Sequence, residues 1–228
     1  MAKACLREVT TLETLFELWK DAHAAEAPES CEKTFPRSRK GDVPKGKFKT
    51  SFCRDGYLTG QESLERPVLF VLKESNAIGK EKEGEFCGKF WLQENVHKAI
   101  SAGALNERVP RWVKLDKNAW RYINWVRRHY QRWAGSDDPS KRVNPFCNPI
   151  AFMNLNKRGG YGSTDSERLK NYVEEYKDYL KKQIEIVNPR LIICGGIGTD
   201  EIVKSLFDGD DSIIIARYHP AARRREKD

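Results

Sequence analysis

Four apolar runs in the sequence each end in residues equipped for chemistry. Pro67–Leu72 leads into Lys73, Glu74, Ser75 and Asn76, and Pro149–Leu155 contains Asn154 and leads into Asn156, Lys157 and Arg158. Arg190–Gly195 leads into a glycine-rich turn, and Ser212–Tyr218 leads into His219, Pro220 and then Arg223, Arg224 and Arg225. A carboxylate can orient water or steady a cation, and a side-chain amide can read one hydrogen-bonding edge of a ligand. A histidine can donate to an oxygen on which negative charge builds. Arginines suit phosphate. Each type also has an ordinary use: a solvated loop acid, an amide satisfying backbone at a strand end, a histidine packing a turn, a frayed basic terminus.

Only a fold can bring such distant residues together. The four runs are short, rich in β-formers and bounded by polar residues, as in strands covered on both faces. Leu12, Leu15, Phe16 and Trp19 predict an amphipathic helix over Leu12–Ala25. Trp120, Ile123, Val126, Tyr130 and Trp133 form a second apolar stripe, beside Arg121, Arg127, Arg128 and Arg132. A third helix is expected from about Asp165 to Val187, with Thr164 and Glu167 as a capping box, and another after GGIGTDE. The stretch Glu26–Glu65 reads as an irregular basic surface connection. The expectation is one α/β domain over 1–228, three-layer α/β/α with a short, mostly parallel four-stranded central sheet. Within it, 1–65 holds the N-terminal helix and the basic segment, and 66–228 the α/β core. In such sheets ligands sit at the carboxyl ends of the strands, where the polar residues cluster.

With 41 Lys+Arg against 33 Asp+Glu, the formal charge is +8, which favours polyanions such as nucleic acid. The six cysteines form no Cys-x-x-Cys pair, and their wide spacing suits reduced thiols. With only four histidines they offer no ligand set, so neither metal nor other cofactor is expected. Met1–Thr10 has no apolar core of signal-peptide length, and no segment approaches a membrane span. A cytoplasmic monomer that binds DNA and no membrane is expected. CGGIG lacks the glycine spacing of a dinucleotide site and comes late in the chain.

Taken in order, these segments resemble the uracil-DNA glycosylase superfamily. VLFVLKESN resembles its first motif, a buried strand followed by a polar loop with the water-activating residue. FMNLNKR resembles the second, in which an Asn at the strand end reads the base. QIEIVNPRLIICGGIGTDEI is similar to the helix, strand and glycine turn before the last motif, and YHPAARR to the closing His-Pro motif. The resemblance spans Pro67 to Arg224. It implies a DNA glycosylase that flips a base, hydrolyses its N-glycosidic bond and leaves an abasic site. Glu74 takes the place of the catalytic acid, and His219 that of the group stabilising the leaving base. Asn154 matches the reader of the pyrimidine edge, Phe86 in GEFCGK the stacking ring, and Asn76 falls near the pocket. Lys73, Lys157, Arg158 and, at the wedging loop, Arg223, Arg224 and Arg225 are the implied DNA contacts.

Departures from the pattern keep the target base open. Leu72 replaces the usual glycine of the first motif and Ser75 the usual proline, and Lys73 is an added cation. Asn76 falls near the place of the tyrosine that excludes thymine's methyl group. Lys157 follows the second strand without the cysteine of the iron–sulfur branches. Two alternatives stand beside the first: a glycosylase for a modified pyrimidine, in repair or in defence against modified foreign DNA, and a DNA-binding module that has lost catalysis.

Overall fold

A computed structural model of the chain describes residues 6–34, 52–59, 66–76, 95–98, 117–133, 149–160, 165–207 and 213–220, with the backbone alone at 28, 31, 32, 59, 74–76, 117–120, 133, 159 and 160. In chain order the elements are α1 (Leu12–Ala25), α2 (Pro28–Thr34), β1 (Gly56–Thr59), β2 (Val68–Asn76), α3 (Lys117–Trp133), β3 (Ile150–Gly160), α4 (Ser166–Glu175), α5 (Lys177–Val187), β4 (Leu191–Gly195), α6 (Thr199–Lys204) and β5 (Ile213–Arg217). The fold is mixed α/β around a mostly parallel sheet.

The sheet has five strands in the order β1-β3-β2-β4-β5. β3, β2, β4 and β5 are parallel, and β1 adds to β3 antiparallel. The expected four strands are present, and β1 is the addition. It comes from the segment read as an irregular connection, and Gly-Tyr-Leu-Thr is too short to show alternation. Gly56 opens it at φ +130, and a Cβ there would stand 2.8 Å from Leu12 Cδ1. β5 also departs from expectation. It is an edge strand, and Ile213 is 63% exposed.

Alternation divides the strands between two apolar clusters. Phe70, Leu72, Phe152 and Ile193 pack with Ile123, Trp125, Val126 and Tyr130 of α3. Val71, Met153, Leu155 and Ile192 pack with Phe16 and Trp19 of α1, Tyr172 of α4, Leu180 of α5 and Val203 of α6. Each fully buried side chain of this size contributes roughly 1.5–3 kcal/mol.

Caps account for the helix boundaries. Thr11 accepts from Thr14 N at the start of α1. Asp165 accepts from Glu167 N and Arg168 N at the start of α4; Thr164, the expected cap, lies outside the described residues. The single helix expected to Val187 is two, broken at Tyr176, whose backbone leaves the helical region (φ −107, ψ 22). Its hydroxyl donates to Glu26 Oε2 at 3.0 Å. Asn188 ends α5 in the left-handed region, a place suited to Asn ahead of Pro189.

Candidate functional site

The chain crosses from β2 to β3 on the α3 face, then returns over the other face through α4 and α5 to β4, on the far side of β2. The strand order therefore reverses between β2 and β4. The crevice beyond the carboxyl ends of those two strands is where open α/β sheets bind ligands.

Glycines shape that crevice. A Cβ on Gly195 would lie 2.7 Å from Leu72 Cδ2 and 3.0 Å from the Trp125 ring, so strand and helix close tightly on it. Gly196 turns the chain at φ +126, a conformation open to glycine, and the Lys73 stem lies across it. Gly196 N donates to Arg217 O at 2.8 Å. This bond ties the turn to the end of β5 and brings His219 to the same edge.

His219 is half-buried. Its Nε2 lies 3.3 Å from Tyr122 Oη, and the two rings meet edge to face, 5.8 Å apart at 89°. Burial, and then the Lys73 cation, lower the His219 pKa from 6.5 to about 4. The ring is therefore neutral at neutral pH, with one nitrogen a donor and the other an acceptor. Burial pushes the Tyr122 phenol up to about 12, so it keeps its proton. The Tyr122 ring also leans on Phe152, 6.5 Å away. Tyr122 stands beside the apolar stripe of α3, not within it, so helical periodicity does not mark it. The signal was a hydroxyl-bearing ring three and four residues before Trp125 and Val126.

Asn154 lies on the α3 face of β3, two residues beyond Phe152, paired with Leu72. The residue is 8% exposed, and its backbone N donates to Asp55 Oδ2 at 2.6 Å. Its side-chain amide makes no hydrogen bond among the described residues.

Lys157 and Arg158 do not contact solvent, so they are not placed to bind DNA. The β2–β3 register jumps from Glu74↔Asn156 to Ser75↔Gly159, leaving these two residues as a bulge. Both are fully buried. Lys157 Nζ donates to the Asp55 carboxylate at 2.7 and 2.8 Å, and Gln183 Nε2 donates to the same group at 2.7 Å. Burial pushes the Lys157 ammonium down, against the pull of Asp55. Arg158 pairs with Glu26 and donates to Thr34 Oγ1 at 2.6 Å, with its guanidinium 5.6 Å from the Tyr172 and Tyr176 ring centres. A buried cation is tolerated only with such partners. Asp55 and Glu26 carried no sequence signal, because they lie 102 and 132 residues from the cations they meet.

β2 does not end at Leu72. Its ladder continues through Glu74 and Asn76, opposite Asn156 and Gly160, where a polar loop was expected. The positions of Glu74 and Asn76 are thus at the crevice in backbone terms. Phe86, Arg223, Arg224 and Arg225 lie outside the described residues. Two surface hollows lie elsewhere, against α1 and α5, lined by residues such as Leu6, Asp178 and Tyr179. No helix among the described residues is long and apolar enough to cross a membrane. No protein-family model matches this chain, and no curated protein matches it.

Proposed function

We propose that the chain is a DNA glycosylase that flips a base from DNA and hydrolyses its N-glycosidic bond, leaving an abasic site. The observation that carries this is an unengaged amide on β3 and a neutral histidine after β5, on either side of the switch point between β2 and β4. Flipping is required before any protein can surround a base. Cleavage of the bond leaves an oxocarbenium-like sugar and puts negative charge on the departing base. His219, neutral against Tyr122, donates a hydrogen bond to that charge, and the nearby Lys73 cation stabilises it further. Asn154 reads one edge of the base with an amide whose donors and acceptor are unspent. Glu74 steadies the sugar cation and orients water, Phe86 stacks on the flipped base, and Asn76 stands beside it. Arg223, Arg224 and Arg225 hold the backbone. The domain acts as a three-layer monomer in the cytoplasm, with helices over both sheet faces and no cofactor.

One observation favours a second proposal, a DNA-binding module without catalysis. β2 stays in the ladder through Glu74 and Asn76, where glycosylases of this superfamily have a polar loop. A base-release screen separates the two. The full chain is incubated with single- and double-stranded oligonucleotides bearing uracil, mismatched thymine or modified pyrimidines, and abasic sites are read by alkaline cleavage, with binding followed in parallel. Release from at least one base class is expected. Tight binding with no release from any base supports the silent module, and neither binding nor release rejects both.

A further inference from the structure

Asn154 is held from behind, by its backbone. β1 pairs with β3 no further than Gly56 opposite Phe152, so the next outward N–H of β3, that of Asn154, needs an acceptor from elsewhere. Gly56 turns the chain at φ +130, a backbone open to glycine, and the Asp55 side chain stands in for a ladder carbonyl. Asp55 Oδ2 accepts from Asn154 N at 2.6 Å. The same carboxylate is fixed by Lys157 Nζ at 2.7 and 2.8 Å and by Gln183 Nε2 at 2.7 Å. Cys53 N donates to Lys157 O, so the segment 53–55 grips β3 at both ends of 154–157. Asp55, Asn154, Lys157 and Gln183 are all buried, so water competes little for these bonds. Lys157 and Gln183 lie on the α1 and α5 side of the sheet, whereas the Asn154 side chain stands on the α3 side. An asparagine has a short side chain, so the place of its backbone sets where its amide can reach. A group that reads one edge of a ligand must be held to within about 0.5 Å.

We propose that Asp55 is a positioning residue: by accepting from the Asn154 backbone N–H while Lys157 and Gln183 hold it still, it sets where the Asn154 amide stands in the crevice and so which base edge is read. The buried ion pair on one face of the sheet thereby fixes the reader on the other. The discrimination arm of this proposal rests on the glycosylase reading above, whereas the hold on Asn154 can be measured with no substrate.

The experiment compares the full wild-type chain with two double variants, Asp55→Asn/Lys157→Met and Asp55→Ala/Lys157→Met. Each removes the buried cation together with its carboxylate, a change that folds tolerate. The first keeps an oxygen for Asn154 N, and its new NH2 can donate to Gln183 Oε1, which has no partner among the described residues. The second offers no acceptor. ¹⁵N–¹H correlation spectra at pH 7 follow the backbone N–H of Asn154 and its side-chain NH2, the latter assigned by its loss in Asn154→Ala. In the wild type the backbone proton is expected downfield and slow to exchange. In the second variant both signals move and the backbone proton exchanges about 10-fold faster, the scale of one hydrogen bond. In the first both stay near their wild-type places. A fast-exchanging wild-type proton overturns the proposal without any variant, and so does a side-chain signal alike in the two variants. Where base release is detected, the ratio of single-turnover rates for the best base over one with a different pyrimidine edge falls about 10-fold in the second variant and is restored in the first. DNA affinity stays unchanged. An equal ratio in the two variants overturns the proposal. Signals that move and are restored, with no release from any base, keep Asp55 in its role and reject the glycosylase.

Discussion

Beyond Phe152, β3 carries polar residues toward both faces of the sheet, and the two groups have opposite fates. Toward α1, α2 and α4, Lys157 and Arg158 sit in a buried network in which each cation meets its own carboxylate, Asp55 for Lys157 and Glu26 for Arg158. Toward α3, the Asn154 amide is unspent, and His219 is held neutral beside Lys73 and Tyr122. Residue type does not separate the groups, because a lysine and an arginine after a strand read as plausibly as DNA contacts as does Lys73. Charge pairing separates them. The paired group binds the N-terminal helices and β1 to the core, and the open side keeps the Asn154 amide for a ligand.

The largest effect is expected at Asp55. Asp55→Ala leaves a fully buried lysine without its carboxylate and is expected to cost about 3–5 kcal/mol of unfolding free energy, read by denaturant titration. Adding Lys157→Met should restore much of that loss, since an apolar replacement of both partners is tolerated. A single variant as stable as wild type would mean that the buried lysine does not depend on Asp55. Next in size is Glu74→Gln, which is expected to slow base release on the order of 100-fold while DNA binding survives. Near-wild-type turnover would remove Glu74 from the chemistry.

The third effect depends on pH. In the unfolded chain His219 takes up its proton near 6.5, and in the folded one only near 4. The unfolded state therefore binds more protons between those values, and stability is lost as pH falls from about 6.5 to about 4. Wild type should lose on the order of 2 kcal/mol more than His219→Gln across that window, by chemical denaturation at each pH. Parallel curves for the two proteins would show that the ring is not held neutral. The smallest effect concerns the tail. Changing Arg223, Arg224 and Arg225 to Ala should flatten the salt dependence of DNA binding by about one unit of slope per lost phosphate contact. An unchanged slope would leave the tail a solvated end.

Local pattern made the elements legible and long-range pairing hid the rest. α1 follows its predicted bounds because Leu15, Phe16 and Trp19 repeat at helical spacing. β2 through β5 were visible as apolar runs, and so was the edge that gathers Lys73, Asn154 and His219. The lengths of β2 and β3 were not visible, because Lys73–Asn76 and Asn156–Gly160 are polar and stay in the ladder only through each other. The burial of Lys157 and Arg158 was hidden for the same reason: their carboxylates come from the other end of the chain. Tyr122 escaped because its partner follows it by 97 residues.

The open side is the functional one only if its histidine takes part in chemistry without being needed for the fold. That is tested most directly by single-turnover base release from the best DNA substrate at pH 7, wild type against His219→Gln, with the unfolding midpoint of each measured alongside. The expected result is a loss on the order of 100-fold in release with an unmoved midpoint. Release within about threefold of wild type, less than 1 kcal/mol of transition-state stabilisation, would contradict it.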